Sequence, residues 1–351
     1  MATQSFDIGK GIFWFFIRFG EKPGGAIWLI FVQALCALAL LALSAMVMGP
    51  AYLNLFQLIE ADAAGSLSDA EALELVFDTV LPFLSYGFLI IPLGILLTVM
   101  YQAAWLRFLT KGEIKPVIPL RLGGDEFRLI GVNLLYIVIA IAAYFGVVAV
   151  LGVFGVGAIF MVQGGGDNAA LGLGAGLLIF LAFLGILIGL TMLAIRLASA
   201  PALTVLDGRL RFFESWEATN GVFWHMLLTY IVVWALMAVV GGVLGGIVQL
   251  VVLAAFLPMI IDFVDLAEQG QHVDPDAALA SLQAWFSDPL TVVSLLISFG
   301  VMYVIQVVFT AVWHSVGAYN AVRARSGGDG EASDAPTLAA GHPMGASPSE
   351  G

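Results

Sequence analysis

Long apolar stretches separated by short polar connections run along almost the whole chain. Six of them stand out, at residues 26–48, 81–105, 129–162, 171–198, 222–261 and 290–316. Each is longer than the roughly 20 residues that a helix needs to cross a hydrocarbon core about 30 Å thick. Backbone groups must be hydrogen-bonded in lipid, and the stretches lack the alternation typical of barrel strands. The pattern predicts an all-α polytopic membrane bundle of about six transmembrane helices with amphipathic connections.

The two longest stretches, 129–162 and 222–261, exceed the length of a single crossing. Loops rich in Lys and Arg are retained in the cytoplasm. If the second stretch were two helices divided at the glycines of 241–246, the next acidic loop would lie in the cytoplasm and Arg323 would lie outside, against this rule. We therefore predict one helix for each stretch, tilted or protruding from the bilayer.

Composition supports a membrane protein and excludes an ordinary soluble one. Of the 351 residues, 61% are hydrophobic and 11% are charged, whereas soluble domains have about 45–50% apolar and about 25% charged residues. The net charge of -12 indicates no nucleic-acid partner. Cys36 is the single cysteine, so the chain forms no internal disulfide and no thiolate metal site.

The basic residues all fall on one side of the predicted bundle. They are Lys10, Arg18, Lys22, Arg107, Lys111, Lys115, Arg121, Arg128, Arg196, Arg209, Arg211, Arg323 and Arg325. The connections on the opposite side contain Asp and Glu but no Lys or Arg. Because loops rich in Lys and Arg are retained in the cytoplasm, we expect both termini to be cytoplasmic.

The charge and hydropathy boundaries predict three regions. Residues 1–25 form a cytoplasmic interfacial N-terminal segment, residues 26–320 form the six-helix transmembrane domain, and residues 321–351 form a disordered cytoplasmic tail. From residue 326 onward the tail is rich in Gly, Ser, Ala, Pro and acidic residues, a composition that buries too little apolar surface to fold. In the first acidic loop, Ser68 and Glu71 match a capping box and predict a short interfacial helix.

The two basic connections share a pattern that predicts a parallel internal repeat. Each unit has an inward-running helix that ends with an arginine, a charged connection and an outward-running helix. The candidate functional residues are Arg107, Arg121 and Glu126 in the first unit, and Arg196, Arg209, Glu214 and Glu217 in the second.

Three interpretations of Arg107 and Arg196 remain open. Both side chains could simply reach into the headgroup layer from the helix ends. Alternatively, Arg107 pairs with Asp125 or Glu126, and Arg196 pairs with one of the two glutamates of its own connection, so that each pair fixes its hairpin. In the third interpretation, the forked guanidinium donors bind the phosphate of a lipid headgroup.

Five polar side chains within the apolar stretches are the strongest candidates for a solute pathway: Gln33, Gln102, Asn133, Gln249 and Gln306. Hydrogen bonds between neighbouring helices are the default explanation of these residues. A pathway requires that they converge on one cavity, whereas packing requires only scattered pairs. The stretches place no Asp, Glu or Lys at mid-membrane, which argues against a carboxylate proton relay.

The sequence predicts no cofactor and no metal or haem site. His225 and His314 lie near the ends of different stretches, with no cysteine or acidic partner at ligand spacing. Nucleophile-elbow, zinc-protease and phosphate-loop motifs are absent from the sequence. Glycines at 152–157, 172–176 and 241–246 predict close helix packing, with oligomerisation as the alternative. The tryptophans at 14, 105, 216 and 224 fit membrane-interface anchors.

The segments 196–207 (RLASAPALTVLD) and 214–221 (ESWEATNG) resemble uncharacterised bacterial inner-membrane proteins. That group is similar to the membrane domain of some glycerophosphoryl diester phosphodiesterases. The resemblance covers most of the six stretches and implies a six-helix inner-membrane bundle, but no activity. The catalytic domain of that family begins with a His-Arg-Gly motif, and none of the four histidines here precedes Arg-Gly.

The favoured hypothesis is a non-enzymatic multi-pass inner-membrane protein that binds membrane lipids or a partner through its basic hairpins. The alternative is a small-solute permease built from the repeat. A homo-oligomer or another membrane protein as partner is compatible with both hypotheses.

Overall fold

The computed structural model describes residues 5–64, 69–114, 119–164, 169–268, 284–285 and 287–326. The helices in these residues are α1 (Ile8–Glu21), α2 (Pro23–Ala64), α3 (Asp69–Ser85), α4 (Ile91–Lys111), α5 (Gly124–Gly164), α6 (Ala169–Leu197), α7 (Ala200–Asp207), α8 (Glu214–Ala218), α9 (Phe223–Glu268) and α10 (Pro289–Arg325). A π-helical turn, Tyr86–Ile90, joins α3 to α4. The described residues contain no strand, so the predicted all-α fold is confirmed.

Within the described part of the chain, six helical segments are long and apolar enough to cross a membrane. They are Pro23–Tyr52, Leu73–Lys111, Gly124–Gly157, Gly176–Asp207, Phe223–Ile261 and Pro289–Arg325. Each predicted apolar stretch coincides with one of these segments. Consecutive segments pack as hairpins, with α2 along α3, α5 along α6 and α9 along α10. The chain is therefore a multi-pass membrane protein with an all-α bundle.

The two longest stretches form single helices, as predicted. Helix α5 has 41 residues and α9 has 46, which corresponds to about 60–70 Å at ~1.5 Å per residue. The 241–246 glycines do not interrupt α9, and a Cβ on Gly241 would lie 2.8 Å from the ring of Phe309 on α10. Gly241 thus allows these helices to approach closely, as expected for a small residue in a membrane.

The prediction of close packing at the other glycines is wrong for the residues whose surroundings are described. A Cβ on Gly152, Gly155, Gly157, Gly174 or Gly176 would meet no atom within 4 Å. Gly152, Gly174 and Gly176 are exposed and Gly155 and Gly157 are half-buried, so no described group approaches their backbone closely. Close approaches occur instead at glycines near the helix ends, where several elements meet.

The helix predicted in the first acidic loop is present but is not a separate element. Helix α3 begins at Asp69 and continues through the π-helical turn into α4, while Ser68 of the predicted capping box lies outside the described residues. Pro82 lacks an N–H for the helical ladder, and the Ile91 N–H bonds to the Tyr86 carbonyl five residues earlier. The extra residue of the π turn lets the helix continue past these positions.

The end of the bundle that carries the basic residues, called the basic end below, holds most of the buried core. Phe108, Leu109, Leu203 and Met226 are each at most 1% exposed there. Toward the other end, large apolar side chains such as Phe88 remain exposed. Exposed apolar side chains are stable in lipid, so the distribution of burial agrees with a membrane bundle.

Three elements other than the spanning helices build the basic end. Helix α1 crosses α9 and α10, while α7 packs against α4, α5 and α10. Asp7 caps α1 by accepting from the Lys10 N–H at 3.0 Å. The Trp14 indole N–H donates to the carbonyl of Leu109 at 3.0 Å. Helix α1 is thereby fixed to α4.

The predicted boundary of the C-terminal tail at residue 321 is too early, because α10 continues to Arg325. Asn320 and Ala321 are fully buried, and Arg323 donates to the carbonyl of Ala218 at 2.9 Å. These contacts hold the last turns of the helix against the second basic connection. The predicted tail from residue 327 lies outside the described residues.

Candidate functional site

The first basic connection begins where α4 ends at Gly112, whose φ of 64° is the left-handed conformation that favours glycine at a helix C-terminus. Arg107 lies in the preceding turn and contacts both acids at the start of α5. Its NH1 is 2.6 Å from Glu126 Oε1 and 3.5 Å from Asp125 Oδ2. The side chains of Arg107 and Glu126 are 7% and 0% exposed. The predicted pairing of Arg107 with these acids is confirmed.

The other groups of this connection complete an ion-pair network of three arginines and two carboxylates. The carboxylate of Asp125 also forms ion pairs with Arg128, whose NH1 is 3.1 Å from Oδ1, and with Arg121, whose NH2 is 3.7 Å from Oδ2. The second oxygen of Glu126 accepts from the Gly123 N–H at 3.0 Å, in the manner of a carboxylate at a helix N-terminus. The Arg107 charge is therefore neutralised by carboxylates within its own hairpin.

One donor of Arg107 remains without a partner among the described residues, namely the buried NH2. A cavity of about 30 Å³ lies beside it, lined by residues that include Ala104, Pro119 and Arg121. This volume suits a single water molecule, which would satisfy the donor. The cavity is too small for a phosphate group with its substituents.

The second basic connection starts with a break between α6 and α7 at Ala198 and Ser199. Pro201 occupies the first turn of α7, where its missing N–H costs nothing. The carbonyls exposed by the break are capped by side chains. Ser215 Oγ donates to the Arg196 carbonyl at 2.8 Å, and the Tyr136 hydroxyl donates to the Leu197 carbonyl at 2.6 Å.

Arg196 makes different contacts from Arg107, although both arginines end their helices. Its NH1 donates to Asn220 Oδ1 at 2.7 Å and to Thr219 Oγ1 at 3.2 Å. Within the described residues, Arg196 forms no ion pair with Glu214 or Glu217. The predicted pairing is therefore wrong for this unit. The turn at 219–222, with Gly221 at φ 76°, directs Asn220 toward the guanidinium.

The acids of the second connection take other partners. Glu214 lies 2.7 Å from Arg211, which also contacts Asp207 at 3.0 Å. Arg325 at the end of α10 pairs with Asp207 as well. The hydrogen bond from Arg211 holds the pKa of Glu214 below its usual value. These contacts join α7, α8 and α10 without Arg196.

Arg209 and Glu217, the remaining predicted residues, are exposed. No ion pair of either residue is present in the described part of the chain. Asp207, Arg211 and Arg325 were not among the predicted site residues. Two of their contacts follow a local spacing: Arg211 lies four residues after Asp207 and three before Glu214. Charged residues at these spacings commonly pair, so the sequence could have indicated Asp207 and Arg211.

Arg196 borders an open cleft of about 470 Å³. Its guanidinium carbon lies 5.3 Å from the Trp216 ring and 5.2 Å from the Phe223 ring, distances within the range of cation–π contacts. Trp224 and His225 also line the cleft. The lining contains no carboxylate among the described residues, so the positive charge of Arg196 is not neutralised there.

A second and larger cavity, of about 610 Å³, lies between spanning helices. Its polar lining includes Gln33 and Ser44 on α2, Tyr101 and Gln102 on α4, Asn133 on α5, and Tyr303 and His314 on α10. The Asn133 amide donates to Gln102 at 2.8 Å, and the Trp105 indole donates to Gln33 at 2.9 Å. Three of the five predicted pathway residues therefore lie at one cavity.

Gln249 and Gln306 do not line this cavity and are exposed on α9 and α10. The five predicted pathway residues thus do not converge as a set. Trp105 is also not an interfacial anchor, since only 2% of it is exposed and it belongs to the core. By contrast, Trp216 and Trp224 are 48% and 68% exposed at the basic end.

Comparisons with protein-family models, with curated proteins and with solved structures gave no match for this chain. The resemblance to the membrane domain of glycerophosphoryl diester phosphodiesterases therefore stays a prediction.

Proposed function

We propose that this multi-pass membrane protein binds the phosphate of an anionic phospholipid in the Arg196 cleft and acts as a binding protein, not as an enzyme. The observation that carries the proposal is the contrast between two arginines at equivalent helix ends. Arg107 is neutralised by Glu126 and Asp125, whereas the hydrogen-bond acceptors of Arg196 among the described residues are all neutral oxygens. A cation with no acid beside an open cleft favours an anion supplied from outside the chain.

The geometry of the guanidinium supports this occupant. All three hydrogen bonds of Arg196 come from NH1. Its Nε and NH2 donate to no described group, so they are available for two parallel bonds to a phosphate. The rings of Trp216 and Phe223 hold the guanidinium in place, and exposed Trp224 suits the glycerol level of a bilayer.

The charge distribution supports an orientation in which this cleft lies in the inner leaflet. All 13 basic residues lie at or near the basic end or in the sequence segments next to it, which the positive-inside rule assigns to the cytoplasm. The proposed location is a bacterial inner membrane with both termini cytoplasmic. Single cysteines introduced into a Cys36→Ala background test this topology. Ser68→Cys should react with an impermeant maleimide on intact cells, and Ser326→Cys should react only after lysis.

Native mass spectrometry of the protein released from nanodiscs tests lipid binding. The nanodiscs contain phosphatidylcholine with a minority of phosphatidylglycerol, and the retained lipids are identified. We expect enriched phosphatidylglycerol on the wild type and a roughly 10- to 100-fold weaker enrichment on Arg196→Ala, the equivalent of about 1.5–3 kcal/mol for hydrogen bonds to a charged group. Inorganic phosphate in the buffer should not displace the lipid.

Two variants separate lipid binding from a purely structural role. Arg128→Ala removes one positive charge from the exposed ion pair with Asp125 and should retain the enrichment. Asn220→Ala removes the shortest contact of Arg196 but keeps the cation, so it should also retain the lipid. Equal loss in Arg196→Ala and Asn220→Ala would show that Arg196 only fixes the hairpin.

A small-solute permease is the second candidate, favoured by Gln33, Gln102 and Asn133 at the 610 Å³ cavity. Uptake of uncharged solutes into proteoliposomes tests this function directly. A rate that exceeds that of protein-free liposomes and falls in Gln102→Leu would support it. Uptake equal to the protein-free background would refute it.

A further inference from the structure

The 610 Å³ cavity differs from the Arg196 cleft in its chemistry. None of the described residues that line it is Asp, Glu, Lys or Arg. A phosphate or an ammonium group would lose its hydration there without gaining an opposite charge, which is unfavourable in the membrane interior. The lining therefore selects an occupant with no net charge.

Polar and apolar groups are divided within the cavity. Gln33, Tyr101 and Asn133 lie about 15 Å along their helices from the basic end, at ~1.5 Å per residue. Leu40, Leu41 and Leu97 form the apolar part of the lining, and Leu41 is 55% exposed. Since all these residues belong to spanning helices, the cavity opens toward lipid. An amphiphile that enters from the bilayer matches this division.

Hydrogen-bonding groups at the polar end are left unused. The Tyr101 hydroxyl is buried, in a residue that is 7% exposed, and has no hydrogen-bond partner among the described residues. The Cys36 thiol lies beside this hydroxyl, but a thiol is only a weak hydrogen-bonding group. An unmade hydrogen bond of a buried hydroxyl costs about 1–3 kcal/mol. A ligand acceptor in the cavity would remove this cost.

The amide pair offers complementary groups. Asn133 Nδ2 donates to Gln102 Oε1, which leaves the Gln102 amide nitrogen as a donor and the Asn133 carbonyl oxygen as an acceptor toward the cavity. Together with the Tyr101 hydroxyl, this pair presents two donors and one acceptor. Two ester carbonyls and one free hydroxyl would pair with this set.

We propose that the cavity binds an uncharged lipid of the diacylglycerol type, with its ester carbonyls and hydroxyl at Tyr101, Gln102 and Asn133. The acyl chains extend past the leucines of α2 and α4 into the bilayer. A volume of about 610 Å³ lies in the usual range of about 300–1,000 Å³ for ligand pockets. This site is separate from the Arg196 cleft, so either proposal can fail without the other.

Photocrosslinking of the full-length protein in phosphatidylcholine nanodiscs tests the proposal. The probe is a diacylglycerol with a diazirine on one acyl chain, and peptide mass spectrometry locates the crosslinks. We expect crosslinks at the cavity segments of α2 and α4, displaced by unlabelled dioleoylglycerol but not by dioleoylphosphatidylglycerol. Crosslinks spread over all lipid-facing helices, or equal displacement by the anionic lipid, would overturn the proposal.

Tyr101→Phe, with Tyr144→Phe as its matched control, tests the role of the Tyr101 hydroxyl. Tyr101→Phe should raise the concentration of dioleoylglycerol needed for displacement by on the order of tenfold, the effect of one hydrogen bond. It should not lower the melting temperature of the lipid-depleted protein, since the lost hydroxyl had no partner. Tyr144→Phe, at a residue 64% exposed on α5 and outside the cavity, should change neither quantity. An unchanged displacement in Tyr101→Phe would overturn the assignment of the hydroxyl.

Gly94→Leu blocks the cavity without removing a polar group. Gly94 lines the cavity, and a Cβ there would be 3.5 Å from Leu40, which is ordinary contact, so the added side chain must occupy cavity space. We expect the site-specific crosslinks to disappear while the protein remains folded. Persistence of these crosslinks in a folded Gly94→Leu protein would place the lipid elsewhere.

Discussion

The guanidinium of Arg107 lies 2.6 Å from the carboxylate of Glu126, and the two side chains are 7% and 0% exposed. Each buried charge would be costly alone, because removal from water costs several kcal/mol per ion. The pair is tolerated because the charges neutralise each other and because Glu126 also accepts from the Gly123 N–H. This contact connects the end of α4 to the start of α5 and fixes the first basic hairpin.

Breaking this pair from one side should be severely destabilising. Arg107→Leu leaves the Glu126 carboxylate buried without its cation, and we expect a loss of about 3–5 kcal/mol in the free energy of unfolding. Adding Glu126→Gln should recover most of that loss, because a neutral amide still accepts from the Gly123 N–H. Denaturant unfolding in detergent micelles, followed by tryptophan fluorescence, measures both variants.

The exposed arginine of the same network provides the control. Arg128 is 38% exposed and contacts Asp125 at 3.1 Å, so Arg128→Ala should cost less than about 1 kcal/mol. If Arg107→Leu is no more destabilising than Arg128→Ala, burial does not set the strength of the Arg107 contact.

Gly317 on α10 is predicted to tolerate no side chain. A Cβ at this position would lie 2.4 Å from the backbone carbonyl oxygen of Ala198, and backbone at the α6–α7 break cannot rotate away as a flexible side chain would. Gly317→Ala should therefore separate α10 from the break and cost about 1–3 kcal/mol, as overpacking does. The change in melting temperature in micelles measures it.

Gly300 on the same helix is the matched control, because a Cβ there would meet no atom within 4 Å. Gly300→Ala should be neutral or stabilising by up to about 1 kcal/mol, since alanine favours a helix more than glycine does. Equal melting temperatures for the two variants would contradict the close approach at Gly317.

The spanning helices could be predicted from sequence, but much of the site could not. Hydropathy identifies helices because lipid demands long apolar segments. The Arg107–Glu126 contact was also predictable, since a short connection brings its two residues together. The partner of Arg196 was not, because the turn at 219–222 brings Asn220 to it in place of a glutamate. The contact of Gly317 with Ala198 joins distant parts of the chain, and no local pattern indicates it.

Asn320 connects α10 to the second basic connection through buried and part-buried hydrogen bonds. It is fully buried, donates to Ser199 Oγ at 2.9 Å and to the Ala218 carbonyl at 3.2 Å, and accepts from Arg323 at 2.9 Å. Asn320→Ala should cost about 2–3 kcal/mol, because it deprives several buried groups of a partner at once. Thermal unfolding in micelles provides the measurement.

Asn54→Ala serves as the comparison for Asn320→Ala. Among the described residues, the amide of Asn54 makes one contact, an exposed hydrogen bond of 3.4 Å to the Asp78 carbonyl, so its removal should change the unfolding free energy by less than about 0.5 kcal/mol. A similar cost for both variants would mean that the buried network around Asn320 adds nothing to stability.

Glu214 should make the stability of the basic end depend on pH. Hydrogen bonding from Arg211 lowers the folded-state pKa of Glu214 below its usual value of 4.5. A carboxyl with a lowered pKa stabilises the fold above the unfolded-state value, and this contribution disappears as the pH falls through the folded-state value. Because the Glu214 side chain is 37% exposed, the contribution should be that of a surface ion pair, about 0.2–1 kcal/mol.

Melting temperatures measured from neutral pH to below pH 4.5 should therefore fall less steeply in Glu214→Gln than in the wild type. Glu217→Gln removes a carboxylate from the same helix without breaking an ion pair among the described residues, and it should follow the wild-type curve. If the curve of Glu214→Gln also coincides with that of the wild type, the Arg211 contact does not persist in solution.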